Sequence, residues 1–150
     1  MTIQERIDAD IKEAMRAKEA DKLSALRMAK SALMNMAIEK HGAGGKLGNL
    51  DALNVIRKQL KQRQESVRGF EKGERPDLAA KERREIDYLS QYLPAPLAEN
   101  EIQQLVREAI KEVGATSKAQ MGAVMKVATE KAAGRVEGKV LSQAVQRILS

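Results

Sequence analysis

The sequence predicts an all-α protein, and three observations carry that prediction. Its core-forming residues are Leu, Ile, Val, Ala and seven Met, whereas the aromatics amount to Phe70, Tyr88 and Tyr92. That balance suits helices packed through aliphatic ridges better than a β-sandwich. Apolar residues recur at steps of three and four along most of the chain. The charged residues, 32% of the total, stand near one another at helical spacings, as on solvated helix faces. With 150 residues the chain can form one ordinary domain or two small ones.

Ile3, Ile7, Ile11 and Ala14/Met15 define the inner side of a first helix, and residues 18–21 break it. From Lys22, the apolar set Leu23, Leu26, Ala29, Leu33 and Met36/Ala37 extends a longer second helix to about Lys40. HGAGGKLGN then interrupts, because four glycines in seven residues leave too much backbone freedom for a helix. Asn49 is expected to cap a third helix, with Asp51 in its first turn and Leu53, Ile56, Leu60, Val67 and Phe70 inside, to about residue 70. Pro76 and Asp77 suit the opening turn of a fourth, whose Leu78, Ile86, Leu89 and Leu93 face inward until Pro94.

PAPLAEN holds two of the three prolines and sets a boundary. The expectation is an N-terminal helical domain of about four helices over 1–93, a proline-containing linker over 94–98 and a three-helix C-terminal domain over 99–150. Ile102, Leu105, Val106, Ala109, Ile110 and Val113 line the fifth helix, which Gly114 can end in a left-handed cap. Ser117 with Gln120 reads as a capping box for the sixth, lined by Met121, Val124, Met125 and Ala128 and closed by Gly134. Val140, Leu141, Ala144, Val145, Ile148 and Leu149 supply the last.

Composition narrows the function classes. Lys and Arg number 27 against 21 Asp and Glu, for a formal charge of +6 and a pI of about 9.6, so polyanions should be attracted. Without cysteine there is no disulfide, thiolate nucleophile or sulfur-ligated metal, which suits a reducing compartment. MTIQERIDADIKEAM has no apolar run of signal-peptide type, and no stretch reaches the ~18 apolar residues of a membrane span. A cytoplasmic protein with no membrane partner is expected. His41, the single histidine, reads as a helix-end residue beside a C-terminal dipole. No serine stands in a G-x-S-x-G setting, and GAGGKLG lacks both the G-K-[ST] ending and a preceding strand. Carboxylates such as those of Glu82/Arg83/Arg84/Glu85 read as members of solvated ion pairs. No catalytic residue, metal or cofactor is expected.

Binding surfaces are better supported. On a wheel of 100° per residue, Arg57, Lys61, Gln64 and Arg68 lie along the shoulder of the third helix's apolar side, with Lys58, Arg63, Lys72 and Arg75 adding charge. Such a stripe can track phosphates; equally, its stems can cover the rim of a core while the charged heads stay in water. In MGAVMKVATEKAAGRVEGK, Lys131, Arg135 and Lys139 could converge where Gly134 and Gly138 let backbone N–H groups approach a phosphate. The same residues also suffice to turn the chain between two helices, and both readings stay open. With three aromatics, an RNA partner would be recognised by shape and backbone.

LSALRMAKSALMNMAIEK (23–40), IRKQLKQRQES (56–66), RPDLAAKERREIDYLSQYLP (75–94) and IKEVGATSKAQMGAVMK (110–126) together resemble the YqeY-like proteins of the GatB/YqeY group. From about residue 98 onward the chain is similar to the tail of the GatB subunit of glutamine-dependent aminoacyl-tRNA amidotransferase. The resemblance implies a tail that holds the outer part of tRNA while catalysis belongs to other chains. Carried onto this sequence, the tail motif is Met121-Gly122, Met125, Lys131, Gly134-Arg135 and Gly138-Lys139, so the implied RNA contacts are Lys118, Lys126, Lys131, Gly134, Arg135, Gly138 and Lys139. Arg57, Lys58, Lys61 and Arg68 form a secondary stripe. The family usually has Asp-Gly where this chain has Glu137-Gly138, and Glu caps a helix less well. The function implied is a tRNA-binding accessory protein, with an aminoacyl-tRNA synthetase or amidotransferase as the implied partner enzyme. The alternatives are a protein–protein adaptor, or a non-catalytic subunit supporting carbon–nitrogen ligation with glutamine as amide donor.

Overall fold

The chain begins with a built cap: the Glu5 N–H donates to Thr2 Oγ1 at 3.1 Å, satisfying one of the amides that a helix start leaves bare. The computed structural model describes residues 1–149, and in it the elements are α1 (Ile3–Arg16), α2 (Ala20–His41), α3 (Asn49–Lys72), α4 (Pro76–Ser90), α5 (Glu99–Val113), a 3-10 turn (Lys118–Gln120), α6 (Met121–Ala132) and α7 (Gly138–Leu149). No strand occurs among the described residues, so the fold is all-α. Two compact units result, Met1–Leu93 and Pro94–Ser150.

In the first unit α2 packs against α1, α3 and α4 alike, and α3 pairs with α4. Ile3, Ile7, Leu26, Leu33, Leu53, Ile56 and Leu89 meet in its core. Ala14 takes the buried place at the end of α1, which turns Met15 outward to 52% exposure instead of the inner position expected of it. Tyr92 closes the base: its hydroxyl donates to Asp10, and the Arg6 guanidinium lies 5.0 Å from its ring centroid. Burial first, and the hydrogen bond to Asp10 second, raise the Tyr92 hydroxyl above its ordinary pKa.

Three local expectations are corrected. Asn49 is the first helical residue of α3, and Gly48 occupies the cap position with no side-chain bond. Ser117 caps no amide; because the 3-10 turn intervenes, Gln120 folds back and its Oε1 accepts the Thr116 N–H at 2.7 Å. The left-handed stop of α6 falls first on Ala133 (φ 48°) and then on Gly134 (φ 80°), one residue earlier than expected. Gly114 ends α5 in the left-handed region as predicted, at φ 73° and ψ 29°.

The larger correction concerns charge. Arg63 does not join a surface stripe: it is 6% exposed, ion-paired with buried Glu85 and with Glu82 at 3.4 Å, and its Nη2 lies 3.6 Å from Met28 Sδ. The next two residues of α4 reach other helices, Arg83 to Glu71 of α3 and Arg84 to Asp21 of α2 at 3.2 Å. The quartet read as solvated pairs therefore ties three helices together, and its Glu85 member is buried. Desolvation holds the Glu85 carboxyl above the usual range, against the opposing pull of Arg63.

In the second unit α5, α6 and α7 pack pairwise into a triangle around Val106, Val124, Leu141 and Val145. Ala109, Ala128, Ala132 and Ala144 are buried among them, and such short side chains let helix axes approach closely. The Leu97 N–H donates to Arg135 O at 3.2 Å, so the proline-containing segment is stitched to the turn between α6 and α7.

Candidate nucleic-acid interface

The two cations expected at the heart of the tail motif are engaged within the fold. Lys131 Nζ stands 3.1 Å from Glu112 Oε2 on α5. Arg135 Nε donates to Ala95 O at 2.8 Å, which completes the stitch of residues 95–97 to the turn. Both line a groove of about 540 Å3 that also holds Glu101 and Glu108, so its charges balance and it offers an anion no net attraction. Buried Gly134 serves the turn, where the Arg135 N–H reaches back to Ala132 O at 2.9 Å. Gly138 is the first residue of α7. Lys126 is exposed on α6, one turn before the acidic Glu130.

Lys118 and Lys139 have a different setting. Helix α7 contains no Asp or Glu, and its exposed side carries Lys139, Gln143, Gln146 and Arg147 at steps of three and four. Lys118, projecting from the 3-10 turn, lines a shallow concavity of about 510 Å3 with Gln143, Gln146 and Arg147. Among the described residues, two cations and two amides thus line one depression, and none of its lining side chains is a carboxylate. Cations can neutralise phosphate oxygens, while amide N–H groups can donate to phosphates or ribose hydroxyls. Sequence reasoning named Lys118 and Lys139 but missed Gln143, Gln146 and Arg147. The signal was present, since KVLSQAVQRIL places cation and amide on one side of an acid-free helix.

In the first unit Lys58, Lys61, Arg68 and Lys72 are exposed on α3 and Arg57 is half-buried. Arg75 adds no free charge, because it is paired with Asp77 at 3.4 Å and holds that carboxyl below its usual range. His41 is the exposed last residue of α2. Among the described residues no three His, Asp or Glu side chains gather as a metal site, and no helix is long and apolar enough to cross a membrane.

Comparison with known proteins places the chain in a family. The family model described as Yqey-like protein matches residues 4–149. A relative in Pyrenophora tritici-repentis, "Altered inheritance of mitochondria protein 41, mitochondrial", is 29% identical over 149 residues, covering 96% of this chain and 79% of its own. An uncharacterized protein of Schizosaccharomyces pombe is 46% identical over 46 residues, 31% of this chain and 37% of its own. With a single family model running through both compact units, this chain belongs to the YqeY-like family.

Proposed function

We propose that this protein is a non-catalytic RNA-binding accessory factor that holds folded tRNA by backbone charge and presents it to an aminoacylating or amidating enzyme. One observation carries the reading: Lys118, Gln143, Gln146 and Arg147 line one concavity, and Lys139 stands one turn before Gln143 on the same side of α7. Contact there neutralises phosphates and releases counterions, so affinity falls with salt. Tethering raises the effective concentration of the RNA at a partner without new chemistry. The test is titration of unfractionated tRNA at low and moderate salt. Binding that weakens with salt and is reduced by the triple change K118Q/K139Q/R147Q supports the reading; no binding at low salt, or binding indifferent to salt, ends it.

A second reading, a protein–protein adaptor, is favoured by Met28, Met34 and Ile38 of α2, which are each 54–55% exposed. Capture of one defined partner that survives nuclease treatment and is lost in M34S/I38S supports it; capture abolished by nuclease counts against it.

A further inference from the structure

The outward face of α3 is a second cationic surface, set apart from the first unit's other exposed cations by its clustering on one arc. Arg57, Lys58, Lys61, Arg68 and Lys72 fall within an arc of about 100° on the helical wheel. At 1.5 Å per residue they span about 22 Å along the axis. From Asn54 onward that arc holds no apolar residue, and Glu65 is its one carboxylate. Elsewhere in the unit several cations are consumed by pairs, as Arg63 is with Glu85, Lys40 with Asp51, Lys30 with Asp8, Arg83 with Glu71 and Arg84 with Asp21, while Lys12, Arg27 and Lys81 stand exposed but dispersed. Lys58, Lys61, Arg68 and Lys72 enter no ion pair among the described residues. A row of like charges on one face repels itself, so the arrangement is of most use when an anion lies along it.

We propose that this face of α3 is a separate RNA-binding surface that runs along the phosphates of a double-helical stem without reading its sequence. The partner follows from what the arc lacks. With no aromatic side chain it cannot stack the splayed bases of a single strand. From Asn54 onward no apolar residue lies within the arc, so it lacks the apolar face with which interfacial helices enter a bilayer. A straight, polar row of cations fits the regularly spaced phosphates of an A-form stem, which proteins recognise by shape and backbone. The inference rests on the reading of this chain as an RNA-binding protein and adds an α3 seat distinct from the α7 concavity.

The experiment uses the full chain with three probes: a blunt RNA duplex, a single-stranded RNA of equal length and phosphatidylserine vesicles. In K58Q/K61Q/R68Q/K72Q, duplex affinity at low salt should fall about tenfold or more, and the log–log salt slope should become shallower by about three to four. K12Q/R16Q/R27Q/K81Q removes the same charge from dispersed exposed sites and should change affinity by less than about threefold. Unchanged thermal melting checks the fold, and K61E at one exposed position repeats the test if the fourfold variant melts early. A fourfold variant that binds duplex as tightly as the parent while K118Q/K139Q/R147Q is weakened overturns the α3 surface alone. Tighter binding of the single strand or of vesicles than of duplex also overturns it. Failure of the parent to bind either tRNA or duplex at low salt instead removes the RNA reading itself.

Discussion

Replacing Arg63 by Ala leaves buried Glu85, 3% exposed, and its neighbour Glu82 facing the space a guanidinium filled. Removing one partner of a buried pair costs about 3–5 kcal/mol, because the remaining charge keeps its desolvation penalty and loses its compensation. The first unit, Met1–Leu93, has an unfolding entropy of about 0.2 kcal/mol/K at the usual value per residue, so its midpoint should drop by roughly 15–25 °C near pH 7. Burial already holds the Glu85 carboxyl above the usual range. The folded chain therefore binds that proton more tightly than the unfolded one, and stability falls as pH rises from the ordinary carboxylate pKa through the raised one. Loss of Arg63 raises that pKa further, so the R63A penalty should shrink as pH is lowered from neutral toward the ordinary carboxylate range, because protonation removes the need for a counter-charge. Calorimetry of the full chain at neutral pH and in that lower range measures this, with R63M/E85L as the companion that removes both charges and should recover most of the loss. An R63A midpoint within a few degrees of the parent, or a penalty equal at both pH values, would refute the account of a desolvated pair.

Further outcomes follow from single contacts. G114A forces a β-carbon into the left-handed region that ends α5 and should destabilise the second unit by about 1–2 kcal/mol, seen as a lowered melting midpoint. R135A removes the donor to Ala95 O, so amide exchange at Leu97 should accelerate, while RNA affinity changes less than in K118Q/K139Q/R147Q. Y92F deletes the hydroxyl bonded to Asp10 and should cost about 0.5–1.5 kcal/mol in chemical denaturation. T2A removes the α1 cap and should cost about 1 kcal/mol in the same assay.

Much of the architecture was legible because its signals are local. Ile3, Ile7 and Ala14 repeat at helical steps, Pro76 opens α4, and Gly114 supplies the φ that a side chain resists. Even Arg63 carried a readable clue: the wheel sets it between Ile56 and Phe70, at the middle of the apolar side, where a solvated head has no room. Grouping it with the stripe followed residue type and ignored angle. The tail shows the opposite difficulty. Lys131 and Arg135 look available because the residues between them are Ala132, Ala133 and Gly134, yet Glu112 lies 19 residues before Lys131 and Ala95 lies 40 residues before Arg135.

The sequence by itself determined the helical class, the regions in which helices break and the angular arcs on which cations sit, since each depends on spacing within one helix. Only the tertiary structure decided which cations are consumed, because opposite charges on separate helices pair according to distance through space and desolvation, and neither is written in their order along the chain. That is why Arg63 and Lys131 became cross-links, while Lys58, Lys61, Lys118 and Lys139 were left facing water.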